Sequence, residues 1–185
     1  YRALSNADIA FVNGGGIRKQ IEAGDITLDD IYSVHPFGNT MCVIRVTGQQ
    51  VLDALEWGAR AVPSENGGFL QVSGLTYEIH TGVASSAEKD ENGMFTRVSG
   101  EYRVKNVMVG GQPLELDKTY TLASHNYMLL GHGDGYTMFD GCEVLGEDMM
   151  VDNQVLITYI TTTLGGVVGE QYANPYGDGR IVAVE

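Results

Sequence analysis

The sequence predicts an α+β fold, with mixed β-sheets flanked by helices, in one domain over residues 1–185. Strand-like and helical segments alternate along the chain without a repeat period. The 185 residues are 43% apolar, enough to bury a core. No apolar run approaches the roughly 18 residues of a membrane span.

Each element has a local reason. Ile9–Asn13 is an apolar run that reads as a strand and stops at three glycines. Thr27 is a candidate N-cap for a short helix over Leu28-Asp29-Asp30, whose acidic first turn suits the helix dipole. Cys42–Val46 reads as a strand, and Gln49–Ala61 then sets Val51, Ala54, Leu55 and Gly58 at helical spacing, with Trp57 on or near the buried face. Leu75–His80 alternates, while Glu101–Val109 and Thr119–Ser124 are strand-like, and Gly110-Gly111 is a hairpin turn between those two runs. Leu156, Ile157, Ile160 and Leu164 mark a helix over Asn153–Leu164, weakened by its threonines. The polar stretches Val62–Gly68 and Ser85–Gly93 read as surface loops.

Charge narrows the partners. A net charge of −13 leaves no basic face for a nucleic-acid polymer or an anionic membrane, so any nucleotide site must be locally positive. The two cysteines, Cys42 and Cys142, lie too far apart for a metal motif; two buried free thiols are favoured over a disulfide. No signal peptide is present, but the chain opens with Tyr1-Arg2-Ala3-Leu4 as if in mid-protein.

Four segments carry candidate chemistry. In Asn13-Gly14-Gly15-Gly16-Ile17-Arg18 the glycines strip side chains from a strand end, where backbone N–H groups of Gly15 and Gly16 can form a donor nest; Asn13 adds an amide and Arg18 a planar fork suited to phosphate. It matches neither a Walker loop nor a dinucleotide fingerprint. Pro36-Phe37-Gly38 exposes a ring in a bent loop, and Asn126-Tyr127-Met128 places another at a strand end. Gly131-His132-Gly133-Asp134-Gly135-Tyr136 sets a carboxylate among glycines, with His132 a solvated loop residue. Two rings can sandwich a planar base, and a carboxylate can accept both hydrogen bonds of a ribose diol. Taken singly, Phe37 also reads as a loop-burying ring, Tyr127 as core and Asp134 as a turn former.

In this order the segments resemble the C-terminal domain of the 5′-nucleotidase family, secreted metal-dependent enzymes that include UDP-sugar hydrolases and 2′,3′-cyclic nucleotide phosphodiesterases. The resemblance runs from Asn13 through Pro36-Phe37-Gly38, Gly68–Leu75 and Gly133-Asp134-Gly135-Tyr136 to Asp178-Gly179-Arg180-Ile181. It implies α/β/β/α layering, with Asn13 on the base, Arg18 on the phosphate, Phe37 and an aromatic near position 127 stacked on the base, and Asp134 on the ribose. One departure matters. The family commonly has two glycines directly before the aspartate and its second ring six positions before it, whereas here His132 splits the pair and Tyr127 lies seven before Asp134. Either the loop carries an extra residue and Tyr127 stacks, or Met128 takes the place; Tyr127 is preferred because stacking needs a π face, although a methionine can lie against a ring.

Catalysis is not expected from this chain. The four histidines, His35, His80, His125 and His132, are scattered, and no H-x-H, G-N-H-[ED], G-x-S-x-G or C-x-x-C motif is present, so His125 beside Asn126 reads as structural or supporting. The resemblance places a divalent metal pair, such as zinc or manganese, in a preceding N-terminal domain absent from this chain, and it places the parent in a secreted, periplasmic or cell-surface location. Two function classes stay open: the nucleotide-binding domain of such an enzyme, and a non-enzymatic ligand-binding or surface-interaction module on the same fold.

Overall fold

The computed structural model describes residues 1–174 and 177–185. In chain order its elements are α1 (Arg2–Ser5), β1 (Ile9–Asn13), α2 (Leu28–Val34), β2 (Met41–Thr47), α3 (Gly48–Ala59), β3 (Leu70–Ser73), β4 (Leu75–His80), β5 (Ala87–Lys89), β6 (Phe95–Val98), β7 (Val104–Val109), β8 (Gln112–Pro113), β9 (Thr119–His125), α4 (Asn126–Leu129), β10 (Glu143–Gly146), α5 (Asp152–Thr158) and β11 (Ile181–Val184). The chain is α+β, as its pattern predicts.

Two mixed sheets organise it. The first runs β10-β2-β9-β1-β3, with β1 parallel to β9 and the other pairs antiparallel. The second runs β11-β4-β7-β8, with β11 parallel to β4. Strand alternation divides the burial: Ile9 and Phe11 of β1 join the main core with Trp57, Leu70, Tyr77 and Leu122, while Ala10 joins Ala7, Val43 and Ala123 on the opposite face, against Tyr1. Helix α3 touches both sheets, at β2, β3 and β7.

Capping fixes the helix starts. Thr27 accepts from the Asp30 N–H while the Asp30 side chain accepts from the Thr27 N–H, and Thr47 with Gln50 repeats this reciprocal box at α3. At α5 the expected helix changes pitch: it is α-helical to Thr158 and a π-helix over Tyr159–Thr163, where the Thr161 and Thr162 hydroxyls bond back to the Ile157 and Thr158 carbonyls at 2.8 and 2.5 Å.

Three expectations need correction. Gly110-Gly111 does turn the chain, but into the two-residue strand β8 instead of into β9, which belongs to the other sheet. Ser85–Gly93 is not simply loop, because Ala87–Lys89 pairs with Phe95–Val98; the charges that disguised the strands form a pair across them, Arg97 Nε to Glu88 Oε2 at 2.7 Å, while Phe95 packs edge-on to Trp57. Cys42 is buried and Cys142 only half-buried; both are free thiols.

Candidate functional site

The site grows from the end of β1. Asn13 closes the strand, and a 3₁₀ turn over Gly14–Gly16 carries the chain outward to Arg18. Gly14 N–H donates to Phe69 O at 2.7 Å and Gly15 N–H to Gly67 O at 2.8 Å, so these two donors face the 67–69 segment and not an open nest. Glycine is needed here for packing: a Cβ at Gly15 would lie 3.2 Å from Gly67 Cα, and one at Gly16 would lie 2.7 Å from Asn13 Oδ1. The Val62–Gly68 stretch, which reads as a surface excursion, is therefore part of the frame. Its Gly68 carbonyl also accepts from the buried Tyr136 hydroxyl.

Asn13, His125, Tyr127 and Asp134 form one hydrogen-bonded group. Asn13 is 6% exposed; its Nδ2 donates to Asp134 Oδ2 at 2.7 Å, and its Oδ1 lies 3.0 Å from His125 Nε2. The Tyr127 hydroxyl meets Asp134 Oδ1 at 3.2 Å and the Asp134 N–H at 3.3 Å. Trp57 Nε1 donates to the Asp134 carbonyl at 2.9 Å, tying α3 to the same loop. Asp134 sits in the left-handed region at φ 55°, a conformation these anchors hold in place. Burial lowers the His125 pKa to about 4, so its ring is neutral near pH 7. Burial, and then the nearby Asp134 charge, raise that of the Tyr127 phenol.

The second expected pair lies at the other end of the glycine segment. The Arg18 guanidinium stands 5.9 Å from the Phe37 ring centroid and donates to Gly15 O at 3.0 Å, while its backbone N–H is held by Val34 O. Phe37 is 60% exposed, so it is a surface ring and not a loop-burying one. Tyr127 is 43% exposed, whereas Met128 is fully buried and receives the Ser124 hydroxyl at its sulfur. Gly133 lets the Tyr127 ring lie on the loop, since a Cβ there would meet ring carbons at 2.3 Å. His132 is half-buried and paired with Asp140 at 3.1 Å.

Sequence reading passed over the residue that ties the two ring-bearing segments together. The Asn126 N–H donates to Thr40 O at 2.8 Å, and its Oδ1 accepts from the Thr40 N–H at 3.1 Å and the Tyr127 N–H at 2.9 Å. The Phe37 loop is thus fastened to the start of α4.

Among the described residues, no group of three or more His, Cys, Asp or Glu side chains could hold a metal ion, and no helix is long and apolar enough to cross a membrane. A cavity of about 900 Å³ is lined by Ala10, Val12, Gln71, Tyr159, Tyr172 and Arg180 among others. None of the expected binding residues lines it.

Comparison with known proteins places the chain in a family. The family model described as the 5′-nucleotidase C-terminal domain matches residues 1–141. The trifunctional nucleotide phosphoesterase protein YfkN of Bacillus subtilis is 35% identical over 183 residues, covering 99% of this chain and 11% of that protein. A 5′-nucleotidase of Vibrio cholerae is 33% identical over 156 residues, covering 84% of this chain and 24% of its own. The chain thus spans about a tenth to a quarter of the length of these relatives. A crystal structure of a 5′-nucleotidase precursor from Thermus thermophilus superposes with a TM-score of 0.79 at 31% identity, over 99% of this chain and 32% of that one.

Proposed function

This chain belongs to the 5′-nucleotidase family as a C-terminal domain, and we propose that it is the nucleoside- and nucleotide-binding part of a metal-dependent phosphoesterase. Phe37 and Tyr127 stack on the two faces of the base, Asp134 accepts the ribose diol, Asn13 reaches the base edge and Arg18 takes the phosphate. Gly15 and Gly16 keep the wall between Asn13 and Arg18 free of side chains. The observation that carries this reading is the joining of the polar group to the ring pair: Asn13 and Arg18 flank one glycine turn, and Asn126 fastens the Phe37 loop to the helix that bears Tyr127.

Chemistry belongs to the rest of the parent protein. By its family resemblance, the share of this domain is to bind and orient the nucleotide and to select it. A preceding domain supplies the metals, such as zinc or manganese, and with them the activation of water on a phosphomonoester or a 2′,3′-cyclic phosphodiester. We place the parent in a secreted, periplasmic or cell-surface location on the strength of the family resemblance.

Titration of the isolated domain with adenosine and its monophosphate tests this. Stacking is worth about 1–3 kcal/mol per base, so binding in the millimolar to high-micromolar range is expected, with no phosphate release in added Mn²⁺ or Zn²⁺. Release above a blank would overturn the division of labour. Absence of all nucleoside binding would favour a surface-interaction module.

A further inference from the structure

His125 is the last residue of β9 and lies under the site at 3% exposure. Its Nε2 is 3.0 Å from Asn13 Oδ1, and its Nδ1 is buried with no hydrogen-bond partner among the described residues. An amide oxygen only accepts, so the imidazole must carry its proton on Nε2 and donate it.

With Oδ1 held by His125, the NH₂ end of Asn13 is turned to Asp134 Oδ2 at 2.7 Å. In the flipped orientation an amide oxygen would face a carboxylate oxygen, two acceptors at hydrogen-bond distance. Gly16 leaves room for this pair, since a Cβ there would lie 2.7 Å from Asn13 Oδ1 and 3.8 Å from His125 Nε2. The Asp134 carboxylate is thus held on one oxygen by Asn13 and on the other by the Tyr127 hydroxyl, in a loop whose backbone is at positive φ.

We propose that His125 is a positioning residue: by fixing the Asn13 amide it orients the Asp134 carboxylate, and so sets how well the site takes a 2′,3′-diol. The proposal rests on the nucleoside-binding reading above for its ligand, but not for its geometry. Neither His125 nor the oxygen it holds needs to touch the nucleoside.

Two measurements test it. In the unaltered domain, imidazole ¹⁵N NMR is expected to show His125 as the Nε2–H tautomer at pH 7, with the Asn13 NH₂ protons protected from exchange; an Nδ1–H tautomer or a freely exchanging amide would overturn the proposal whether or not any nucleoside binds. His125→Leu, which removes the donor, and His125→Gln, whose amide nitrogen can still donate, are then titrated with adenosine and 2′,3′-dideoxyadenosine. His125→Leu is expected to weaken adenosine about tenfold, the equivalent of one hydrogen bond, to leave the dideoxynucleoside within about twofold, and to be largely rescued by glutamine. Equal losses for both ligands in a folded His125→Leu domain, or no loss at all, would contradict the positioning role. If leucine prevents folding, His125→Gln alone decides: it must keep the preference for the ribose form. A parent domain that binds neither nucleoside would sink the ligand reading while leaving the NMR test standing.

Discussion

The side-chain nitrogen of Asn13 lies 2.7 Å from Asp134 Oδ2, joining residues 121 positions apart in the chain. The contact brings the glycine-rich turn after β1 and the glycine-rich loop after α4 together as one polar surface.

The exposed ring of Phe37 makes its role separable from stability. Phe37→Ala is expected to weaken adenosine, guanosine and uridine alike, by about 1–3 kcal/mol, and to leave the melting temperature unchanged, because the ring is 60% exposed. Parallel calorimetric titration and thermal melts check this. A large fall in melting temperature would mark the ring as structural.

Tyr127 and Met128 should divide binding from folding. Met128 is fully buried, so Met128→Ala is expected to cost about 2–5 kcal/mol of stability in urea melts with little change in intrinsic affinity, whereas Tyr127→Ala removes a half-exposed ring and should cost affinity. The reverse pattern would assign the second stacking position to Met128.

Arg18→Lys tests the phosphate contact, because a lysine is a point charge without the planar fork. Binding of adenosine monophosphate should fall by about 1–2 kcal/mol, more so for Arg18→Ala, while adenosine itself is little affected. If adenosine and its monophosphate weaken equally in titrations at fixed ionic strength, Arg18 acts through Phe37, whose ring it covers at 5.9 Å.

The buried His125 should make stability fall in acid. Its folded pKa is about 4 against an ordinary value of 6.5, so below pH 6.5 the unfolded chain takes up a proton that the folded one resists. Stability attributable to His125 is therefore full above about pH 6.5 and is lost as pH falls toward about 4, on the order of 3 kcal/mol by linkage. Tyr1, Tyr127, His35 and Asp134 surround the ring, so the comparison must be differential. Urea melts at pH 7 and pH 5 should show the parent losing more stability than His125→Gln; an equal loss would mean that His125 does not sense the change.

Local chemistry explains what was readable from sequence. Ile9–Asn13, the Thr27 cap and the helix after Cys42–Val46 each depend on neighbours within a few residues, and each appears where the pattern puts it. The destination of β9 depends instead on a partner strand elsewhere, so the Gly110-Gly111 turn could not reveal that β7 and β9 part into different sheets. The same holds at the site. Asn13, Phe37 and Asp134 announce themselves by their glycine and proline surroundings, but the Trp57 bond to the Asp134 carbonyl, the Asn126 clamp on Thr40 and the use of the Gly14 and Gly15 donors on Phe69 and Gly67 all cross between segments distant in sequence. His132 lies at positive φ, and its pairing with Asp140 is likewise a matter of tertiary placement.

The central claim is that Asp134 holds a ribose diol, and titration of Asp134→Asn with adenosine and 2′,3′-dideoxyadenosine tests it most directly. A carboxylate accepting two hydrogen bonds loses charge assistance when it becomes an amide, so adenosine should weaken by about 1–3 kcal/mol while the dideoxynucleoside is unchanged. Equal losses for both ligands would contradict the claim and leave Asp134 as the residue that shapes the loop through Asn13, Trp57 and Tyr127.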